Sequence, residues 1–189
     1  MADGISTPAP AGLSARAEAA LELVGVVKSE IVARIRVRDT LLAGYSAAAI
    51  TTFGAVTSSK ALGTEFLYVI PYLALAFTIL VSYHQAGIGA LGNHCATDLL
   101  EVLEKETGIR GFELSSIFYT YHGKASTRRS IAHFIILLLP PAWALWQNLP
   151  DLYTVFPKNL PWATGLFAMI VSAAVIVRSN RSHYHGVSR

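Results

Sequence analysis

The chain has 189 residues, of which 53% are hydrophobic and 14% are charged, and its mean hydropathy is +0.46. Soluble domains average roughly 25% charged residues, so this composition excludes an ordinary soluble domain and indicates a membrane protein. The net charge of +3 does not indicate nucleic-acid binding, because the basic residues are divided among separate segments rather than gathered in one patch.

Residues 1–12 are rich in Ala, Pro, Gly and Ser and are predicted to form a disordered tail without a signal peptide. Residues 13–39 are predicted to form an amphipathic helix, because apolar residues recur every three or four positions. Its apolar face comprises Leu13, Ala17, Ala20, Val24, Val27, Ile31 and Ile35. Glu30, Arg34 and Arg38 lie four residues apart, which joins a favourable ion pair to a pair of like charges that needs an acidic partner or a lipid phosphate nearby.

The next segment, residues 40–83, is predicted to be a transmembrane hairpin with spans at 40–56 and 66–83. The first span is rich in Gly, Ala and Ser, which allow close helix packing in lipid. The second is an uncharged run of about 18 residues, near the minimum for crossing the hydrocarbon core. No proline ends the second span, and its helical periodicity continues through Ile88, Leu91, Cys95, Leu99 and Val102. We therefore expect one helix that crosses the membrane and emerges as a half-buried stalk, with Cys95 as a small buried hydrophobe.

Segment 84–130 comprises this stalk and then an aromatic and basic stretch. Such composition just before a span is typical of the membrane interface, although single-stranded nucleic acid can be bound by the same residue types. The candidate interfacial residues are Phe112, Phe118, Tyr119, Tyr121, Arg128 and Arg129.

A second hairpin is predicted over residues 131–177, with spans at 131–149 and 160–177, followed by a tail at 178–189. Pro140 and Pro141 should kink or break the third span, which membranes tolerate only where neighbouring groups satisfy the freed carbonyls.

The basic residues predict the orientation. Thirteen of the fifteen Lys and Arg residues lie in segments 1–39, 84–130 and 178–189, and the loops 57–65 and 150–159 hold one each. By the positive-inside rule, the three rich segments are cytoplasmic. The sequence therefore predicts an all-α membrane protein with four transmembrane helices, a cytoplasmic amphipathic N-terminal helix, a cytoplasmic extension of the second span and both termini in the cytoplasm.

Few motifs indicate chemistry. Gly87, Gly89 and Gly92 spell G-x-G-x-x-G, but no predicted strand precedes them, so they are interpreted as a close helix contact or a flexible joint rather than a dinucleotide site. His84 is either an interfacial histidine or a pH- or ligand-sensing one.

Enzymes, metalloproteins and ion-coupled transporters are each disfavoured. No two of His84, His94, His122 and His133 have the spacing of paired metal ligands on one helix, and no catalytic arrangement is recognisable. No Asp, Glu, Lys or Arg lies within the four predicted spans, whereas ion-coupled transporters keep such groups at membrane depth. We therefore expect no cofactor, no metal and no enzymatic activity.

Two runs carry a resemblance, KSEIVARIRVRDTLLAGYSAAA and SYHQAGIGALGNH. From residue 27 to 113 the chain resembles small, poorly characterised bacterial integral-membrane proteins, and its layout is similar to SLATT-type membrane effectors of bacterial conflict systems. The matching positions are Glu30, Arg34, Arg38, Tyr83 and His84. The resemblance implies an inner-membrane homo-oligomer that acts in anti-phage defence when a nucleotide signal or a cytosolic protein triggers it. Those effectors have two spans, and the second hairpin of this chain has no counterpart in them.

These observations lead to one favoured function and two alternatives. The favoured function is a non-enzymatic protein that self-associates through small residues of spans one, two and four and forms or gates a pore. Its trigger would act through the candidate residues Glu30, Arg34, Arg38, His84, Gly87, Gly89 and Gly92. The alternatives are a scaffold or sensor that recruits a cytosolic partner and, less favoured, a small-solute transporter.

Overall fold

The structure is a computed structural model that describes residues 14–59, 62–108, 114–149 and 159–185, of which 114–130 and 180–185 are described by their backbone alone. These residues form helices and short connections, and none of them is in a strand. The predicted all-α fold is therefore confirmed. The α-helices are α1 (Ala15–Ser58), α2 (Val69–His94), α3 (Leu100–Thr107), α4 (Leu114–Gln147) and α5 (Leu160–His185).

Helix α1 is one continuous helix of 44 residues, about 66 Å long at 1.5 Å per residue. It joins the segments predicted as an amphipathic helix and a first span, and Gly25 does not interrupt it. Its N-terminus is capped by Ser14, whose Oγ accepts a hydrogen bond from the backbone N–H of Ala17 at 3.2 Å. Because the hydrocarbon core is only roughly 30 Å thick, half of α1 extends beyond any membrane that the other half crosses.

Helix α1 is the first of two arms, and the second arm, residues 64–107, runs back along it. A 3₁₀ helix, Thr64–Tyr68, leads into α2, and a π-helical turn, Cys95–Leu99, joins α2 to α3. Gly108 ends α3 in the left-handed conformation, with φ of +67°, where glycine is the favoured residue. The second arm agrees with the expectation of a span that continues as a stalk. The π-helical turn within it was not predicted.

The stalk is a two-helix structure formed by α1 and α3. Ala17 and Ala20 of α1 form a buried cluster with Leu103 of α3, and Val24 packs against it. At the other end of α1, Phe53 packs against a cluster that contains Leu67 and Ile70. The two arms are therefore antiparallel along their whole length.

Helices α4 and α5 complete a bundle in which α2 is central, since it packs against α1, α4 and α5. The main buried cluster draws residues from all four helices: Leu42, Tyr45, Ala74, Val81, Leu137, Leu138 and Ile176. Burial of apolar surface, at about 25 cal/mol per Å², does not by itself account for a bundle in lipid, where close packing dominates.

Small residues of α2 and α5 supply that close packing. A Cβ atom at Gly165 would lie 3.1 Å from Leu145 Cδ2 and 3.4 Å from Pro71 Cγ. Ala74, Ala168 and Ser172 are buried within the same chain. These small residues of the predicted second and fourth spans are therefore used inside one molecule.

Three helical stretches are long and apolar enough to cross a membrane, residues 15–58, 64–107 and 160–179, and Ile131–Gln147 is a shorter apolar helix. Large apolar side chains also point outward from the bundle: Ile50 is 71% exposed, Leu139 63% and Phe167 68%. Apolar surface of this kind is suited to contact with lipid acyl chains. Length, composition and surface together support a transmembrane protein.

Candidate functional site at the membrane end of the stalk

The residues of α1 that face the second arm follow a heptad pattern, with alternating steps of three and four. We call this row the inner seam. It comprises Ala17, Ala20, Val24, Val27, Ile31, Arg34, Arg38, Leu41 and Tyr45, all buried or half-buried. Arg34 and Arg38 thus occupy positions that apolar residues hold in the turns above and below. They lie directly before the apolar span that begins at residue 40.

Arg38 is the more deeply buried of the two arginines, with 5% of its surface exposed. Its Nη1 donates to Oε1 of Gln85 on α2 at 2.9 Å, and its Nε and Nη2 donate to Oδ1 of Asp39 at 3.0 and 2.7 Å. A buried guanidinium without partners would cost several kcal/mol. The Asp39 and Gln85 contacts therefore fix the relative position of α1 and α2 at this level.

Arg34 lies one turn further from the predicted span. Its Nε donates to Oε1 of Glu30 at 2.7 Å, and its guanidinium lies over Gly87 of α2. A Cβ atom at Gly87 would be 2.6 Å from Arg34 Nη1, so glycine leaves the space that this side chain occupies. The structure therefore brings together Glu30, Arg34 and Gly87, which were predicted as trigger residues from separate segments.

His84 belongs to the same level of α2, next to Gln85. Its Nδ1 atom is buried and makes no hydrogen bond to any residue that the structure describes. Its ring meets that of Tyr83 edge to face, with the centroids 5.6 Å apart. A buried polar atom without a hydrogen-bond partner is costly, so His84 is the polar side chain of this region whose hydrogen bonding is least satisfied.

The other two glycines of the G-x-G-x-x-G run do not join the site in the same way. Gly89 and Gly92 lie within α2, and a Cβ atom at Gly92 would meet nothing within 4 Å. Because the run lies inside a helix, its backbone N–H groups are not arranged as a phosphate-binding loop between a strand and a helix. The π-helical turn begins three residues after Gly92, and such turns often mark functional positions.

Charged and polar groups tie the outer end of the stalk together. Ser14 Oγ donates to Oε2 of Glu106 at 2.7 Å, and Arg16 Nη1 lies 3.7 Å from Oε1 of the same carboxylate. Hydrogen bonds from His94 and Thr97 hold the pKa of the Asp98 carboxyl below its usual value. One hydrogen bond and one ion pair, both to Glu106, therefore join the N-terminal end of α1 to α3.

Cys95 is half-buried rather than fully buried as expected. It begins the π-helical turn, where the chain passes from α2 to α3. Burial raises the pKa of its thiol, and the charge of Lys28 opposes this only in part. A thiol held in its protonated form is a poor nucleophile, which agrees with the interpretation of Cys95 as a small apolar side chain.

Pro140 and Pro141 were predicted to kink or break the third span, and the break does not occur, since α4 is helical through both prolines. Pro141 has no N–H group for the carbonyl of Leu137, four residues earlier. The hydroxyl of Tyr45 on α1 donates to that oxygen instead, at 3.4 Å. A neighbouring helix thus supplies the donor that the proline removes, as the membrane setting requires.

The far end of α4 is satisfied by its neighbours in a similar way. Trp162 Nε1 of α5 donates to the oxygen of Leu145 at 3.2 Å. The Asn148 side chain donates to the oxygens of Ala144 and Thr64, each at 2.9 Å. The Leu145 oxygen, which also accepts from the backbone N–H of Asn148 at 3.2 Å, thus connects α4 to α5. The Asn148 side chain connects the end of α4 to the 3₁₀ helix.

The structure describes the backbone of five of the six predicted interfacial residues. Phe112 lies outside the described residues. The remaining five lie in the part of α4 whose backbone alone is described: Phe118, Tyr119, Tyr121, Arg128 and Arg129. Their interfacial role stays a prediction.

Sequence reasoning missed Asp39, Gln85 and Tyr45, which complete the contacts of the predicted residues. The heptad spacing of Arg38 and Tyr45 in one row could have indicated that both point toward the second arm. Among the residues described, no three His, Cys, Asp or Glu side chains form a group that could hold a metal ion. No protein-family model, curated protein or solved structure matches this chain.

Proposed function

We propose that this chain is a non-enzymatic protein of the bacterial inner membrane with four spans and cytoplasmic termini. In this proposal it self-associates and forms or gates a pore when a cytoplasmic trigger acts on its stalk. The observation that carries the proposal is the pair Arg34 and Arg38 in the inner seam. They lie where α1 and α2 continue as uninterrupted α-helices into the apolar spans.

Continuous helices favour mechanical coupling between the stalk and the membrane domain. An α-helix transmits a displacement of one end to the other, because each turn is hydrogen-bonded to the next. At the junction, Arg38 links Asp39 of its own helix to Gln85 of α2. Movement of the stalk helices against each other would have to break or rearrange these contacts. We call the part of α1 and α2 that holds Arg34, Arg38 and their contact residues the arginine level, and a trigger would have its effect there.

The chemistry of the arginine level suits an anionic trigger. Guanidinium groups bind phosphates and carboxylates through paired hydrogen bonds. Arg34 is bonded to Glu30, whose side chain is 47% exposed. A nucleotide phosphate or an acidic segment of a cytosolic protein could compete with Glu30 for Arg34 and so alter the packing against Gly87.

The pore of this proposal lies between copies of the chain. The interior of the described bundle is mainly apolar, with Leu42, Ala74 and Leu137 at its centre, and its fully buried polar side chains are Thr78 and Ser172. An apolar, close-packed interior gives ions no hydrated path. Conduction therefore requires self-association.

A scaffold or sensor is the second candidate. It is favoured by the charged outer end of the stalk, where Arg16, Asp98, Glu101, Lys105 and Glu106 line a shallow groove. A cytosolic protein of complementary charge could dock there without any conduction. A small-solute transporter is the third and least favoured candidate function.

Controlled expression of the intact chain in a bacterial host tests the proposal, alone and together with its neighbouring gene. Membrane potential and growth are the readouts, and membrane insertion is verified in each case. We expect depolarisation and growth arrest in at least one of the two settings. An inserted chain that changes neither quantity in either setting would contradict the pore and favour the scaffold.

A further inference from the structure

Arg34 uses only part of its hydrogen-bonding capacity. A guanidinium group donates through Nε and through both Nη atoms, and Nε of Arg34 donates to Oε1 of Glu30 at 2.7 Å. Its Nη1 and Nη2 atoms, which we call the terminal edge, donate to no residue that the structure describes. In Arg38, by contrast, Nε, Nη1 and Nη2 all have acceptors on Asp39 or Gln85. The terminal edge of Arg34 is therefore free for a further acceptor.

Gly87 determines where this edge lies. A Cβ atom at Gly87 would be 2.6 Å from Arg34 Nη1 and 3.2 Å from Arg34 Cζ, so the guanidinium packs against the bare backbone of α2. The Arg34 side chain is 28% exposed, which leaves part of it accessible from outside the hairpin. A side chain that packing already positions loses less conformational entropy when it binds a ligand. The structure thus holds a pair of donors in place.

The helices that pack around this part of α1 supply no anion for the terminal edge. Helices α2, α4 and α5 contain neither Asp nor Glu. The first carboxylate that follows Gly87 on the second arm belongs to Asp98, about 16 Å further along the helix axis, and it contacts His94. An acceptor for Nη1 and Nη2 therefore has to come from outside these helices.

The charge around Arg34 favours an anion from outside. Residues 28–39 of α1 include four basic and two acidic side chains. Glu30 contacts Arg34, and Asp39 contacts Arg38. The two remaining basic residues, Lys28 and Arg36, are exposed. This excess of positive charge attracts anions toward the arginine level.

The depth of Arg34 favours a phosphate over a carboxylate. Arg34 lies six residues before residue 40, where the predicted first span begins, about 9 Å along the helix axis. Each headgroup layer is about 5–8 Å thick, since a bilayer is roughly 40–45 Å thick with both layers and roughly 30 Å thick without them. A long arginine side chain can extend toward this layer. Phosphate groups are concentrated there, whereas a carboxylate of a cytosolic protein would have to enter the layer.

We propose that Arg34 binds one phosphate group through Nη1 and Nη2, in a site built on Gly87. The group belongs to a phospholipid headgroup or to a soluble phosphate, because both present the same unesterified oxygens. Two parallel N–H···O bonds would form at the terminal edge, and the added negative charge would then compete with the Glu30 carboxylate for the guanidinium. The inference rests on the proposed function and deepens it, by assigning the anionic trigger to a phosphate at one side chain.

Side-chain NMR of arginine tests this site. The full-length chain, with isotope-labelled arginine, is held in maltoside micelles, which contain no phosphate. The Nε signals of Arg34 and of the exposed Arg36 are identified by their absence from Arg34→Lys and Arg36→Lys. Phosphatidylglycerol and inorganic phosphate are added in separate titrations. We expect at least one of them to shift the Arg34 signal saturably and to shift the Arg36 signal less. No saturable shift of Arg34, or equal shifts of both arginines, would overturn the proposal.

The separate titrations also identify the source of the phosphate. A response to phosphatidylglycerol alone would assign the site to a lipid headgroup, and a response to inorganic phosphate alone would assign it to a soluble ligand. A response to both would mean that the site accepts the group from either source, and each of these results supports the proposal. Sodium acetate at equal ionic strength is the carboxylate probe. If acetate shifts the Arg34 signal at concentrations as low as the phosphate probes do, the ligand is an acidic group of a protein and the proposal is overturned.

A pair of glycine variants separates a built site from general charge attraction. Gly87→Ala retains every charge but displaces Arg34 Nη1. We expect it to weaken the binding of the responding probe roughly tenfold, the effect of one lost hydrogen bond to a charged group. Gly92→Ala is the matched control, since a Cβ atom there would meet nothing within 4 Å, and it should bind as the unaltered chain does. Equal binding by the two variants would contradict the site.

Binding in micelles is read without any measurement of conduction, so the two proposals fail separately. A phosphate bound at Arg34 of a chain that never depolarises the membrane would support the site and contradict the pore. Depolarisation by a chain whose Arg34 signal responds to neither probe would contradict the site and leave the pore in place.

Discussion

The Tyr45 hydroxyl donates to the backbone oxygen of Leu137, the carbonyl that Pro141 deprives of its helical donor. The tyrosine is fully buried, as are Leu137 and Pro141. Its ring also packs against Phe77 of α2, with centroids 5.6 Å apart. One side chain of α1 therefore contacts both α2 and the α4 carbonyl that Pro141 leaves without its helical donor.

Replacement of Tyr45 by Phe removes this hydrogen bond and keeps the ring. We expect a loss of about 0.5–1.5 kcal/mol in the free energy of unfolding, at the lower end because 3.4 Å is long for a hydroxyl donor. Denaturant unfolding in detergent measures it. The control is Tyr83→Phe, since Tyr83 is 67% exposed. The loss should shrink in a Pro141→Ala background, where a backbone N–H again serves Leu137. An equal loss in both backgrounds would refute the compensation.

Gln85 is predicted to matter through Arg38. In Gln85→Leu, one N–H of a guanidinium that is 5% exposed has no acceptor on α2. An unpaired buried donor costs about 1–3 kcal/mol, so the variant should lower the free energy of unfolding by that order. Gln147→Leu is the control, because Gln147 is exposed. If the two variants are equally stable, the Arg38–Gln85 contact does not hold the helices together.

Gly87 and Gly92 form a matched pair of helix glycines. Replacement by Ala favours the helix by up to about 1 kcal/mol. At Gly92 nothing opposes the gain, since the new Cβ atom meets no neighbour within 4 Å. At Gly87 the Cβ atom would displace Arg34 Nη1, now 2.6 Å from its position. We therefore expect Gly92→Ala to stabilise the protein more than Gly87→Ala, as measured by thermal unfolding. The reverse order would mean that Arg34 does not occupy that space.

The exposed pair of His94 and Asp98 predicts a pH effect on the stalk. The pKa of Asp98 is lowered from 3.8, first by the hydrogen bond with His94 and then by that with Thr97. A carboxyl whose folded pKa is depressed stabilises the fold above its unfolded pKa, and this contribution is lost as the pH falls through the folded value.

Carboxyl NMR titration of Asp98 measures this shift. Its pKa should rise toward 3.8 in His94→Ala and rise less in Thr97→Val. A larger rise in Thr97→Val would mean that Thr97, and not His94, contributes most to the lowered pKa of Asp98.

The sequence predicted the two arms of the hairpin because their signals are local. The uncharged run from Phe66 and the periodicity through Ile88 and Leu99 require only neighbours three or four residues apart. The π-helical turn has no such signal, since an additional residue in one turn changes register without changing composition. The side chains that contact the candidate residues could not be predicted from local sequence either, because Gln85 meets Arg38 only after the hairpin has closed.

The arginines illustrate the same limit. Their spacing predicted that Arg34 and Arg38 need anionic partners nearby, and Glu30 and Asp39 provide them. The sequence placed the apolar face of the helix on Ile31 and Ile35, next to the arginines. That Arg38 itself is buried follows from the hairpin register, which depends on contacts 47 residues apart in sequence.

The central claim is that the arginine level couples the stalk to the membrane domain. The most direct measurement is membrane potential on controlled expression of the double variant Arg34→Glu, Arg38→Glu, under the conditions in which the unaltered chain depolarises. The control is Lys28→Glu, Arg36→Glu, which changes the charge equally at two exposed positions of the same helix. We predict that the first double variant inserts normally and no longer depolarises the membrane, while the control still does. If both inserted variants depolarise equally, or if the first fails to insert and the control inserts, the arginines serve topology alone and the coupling is contradicted.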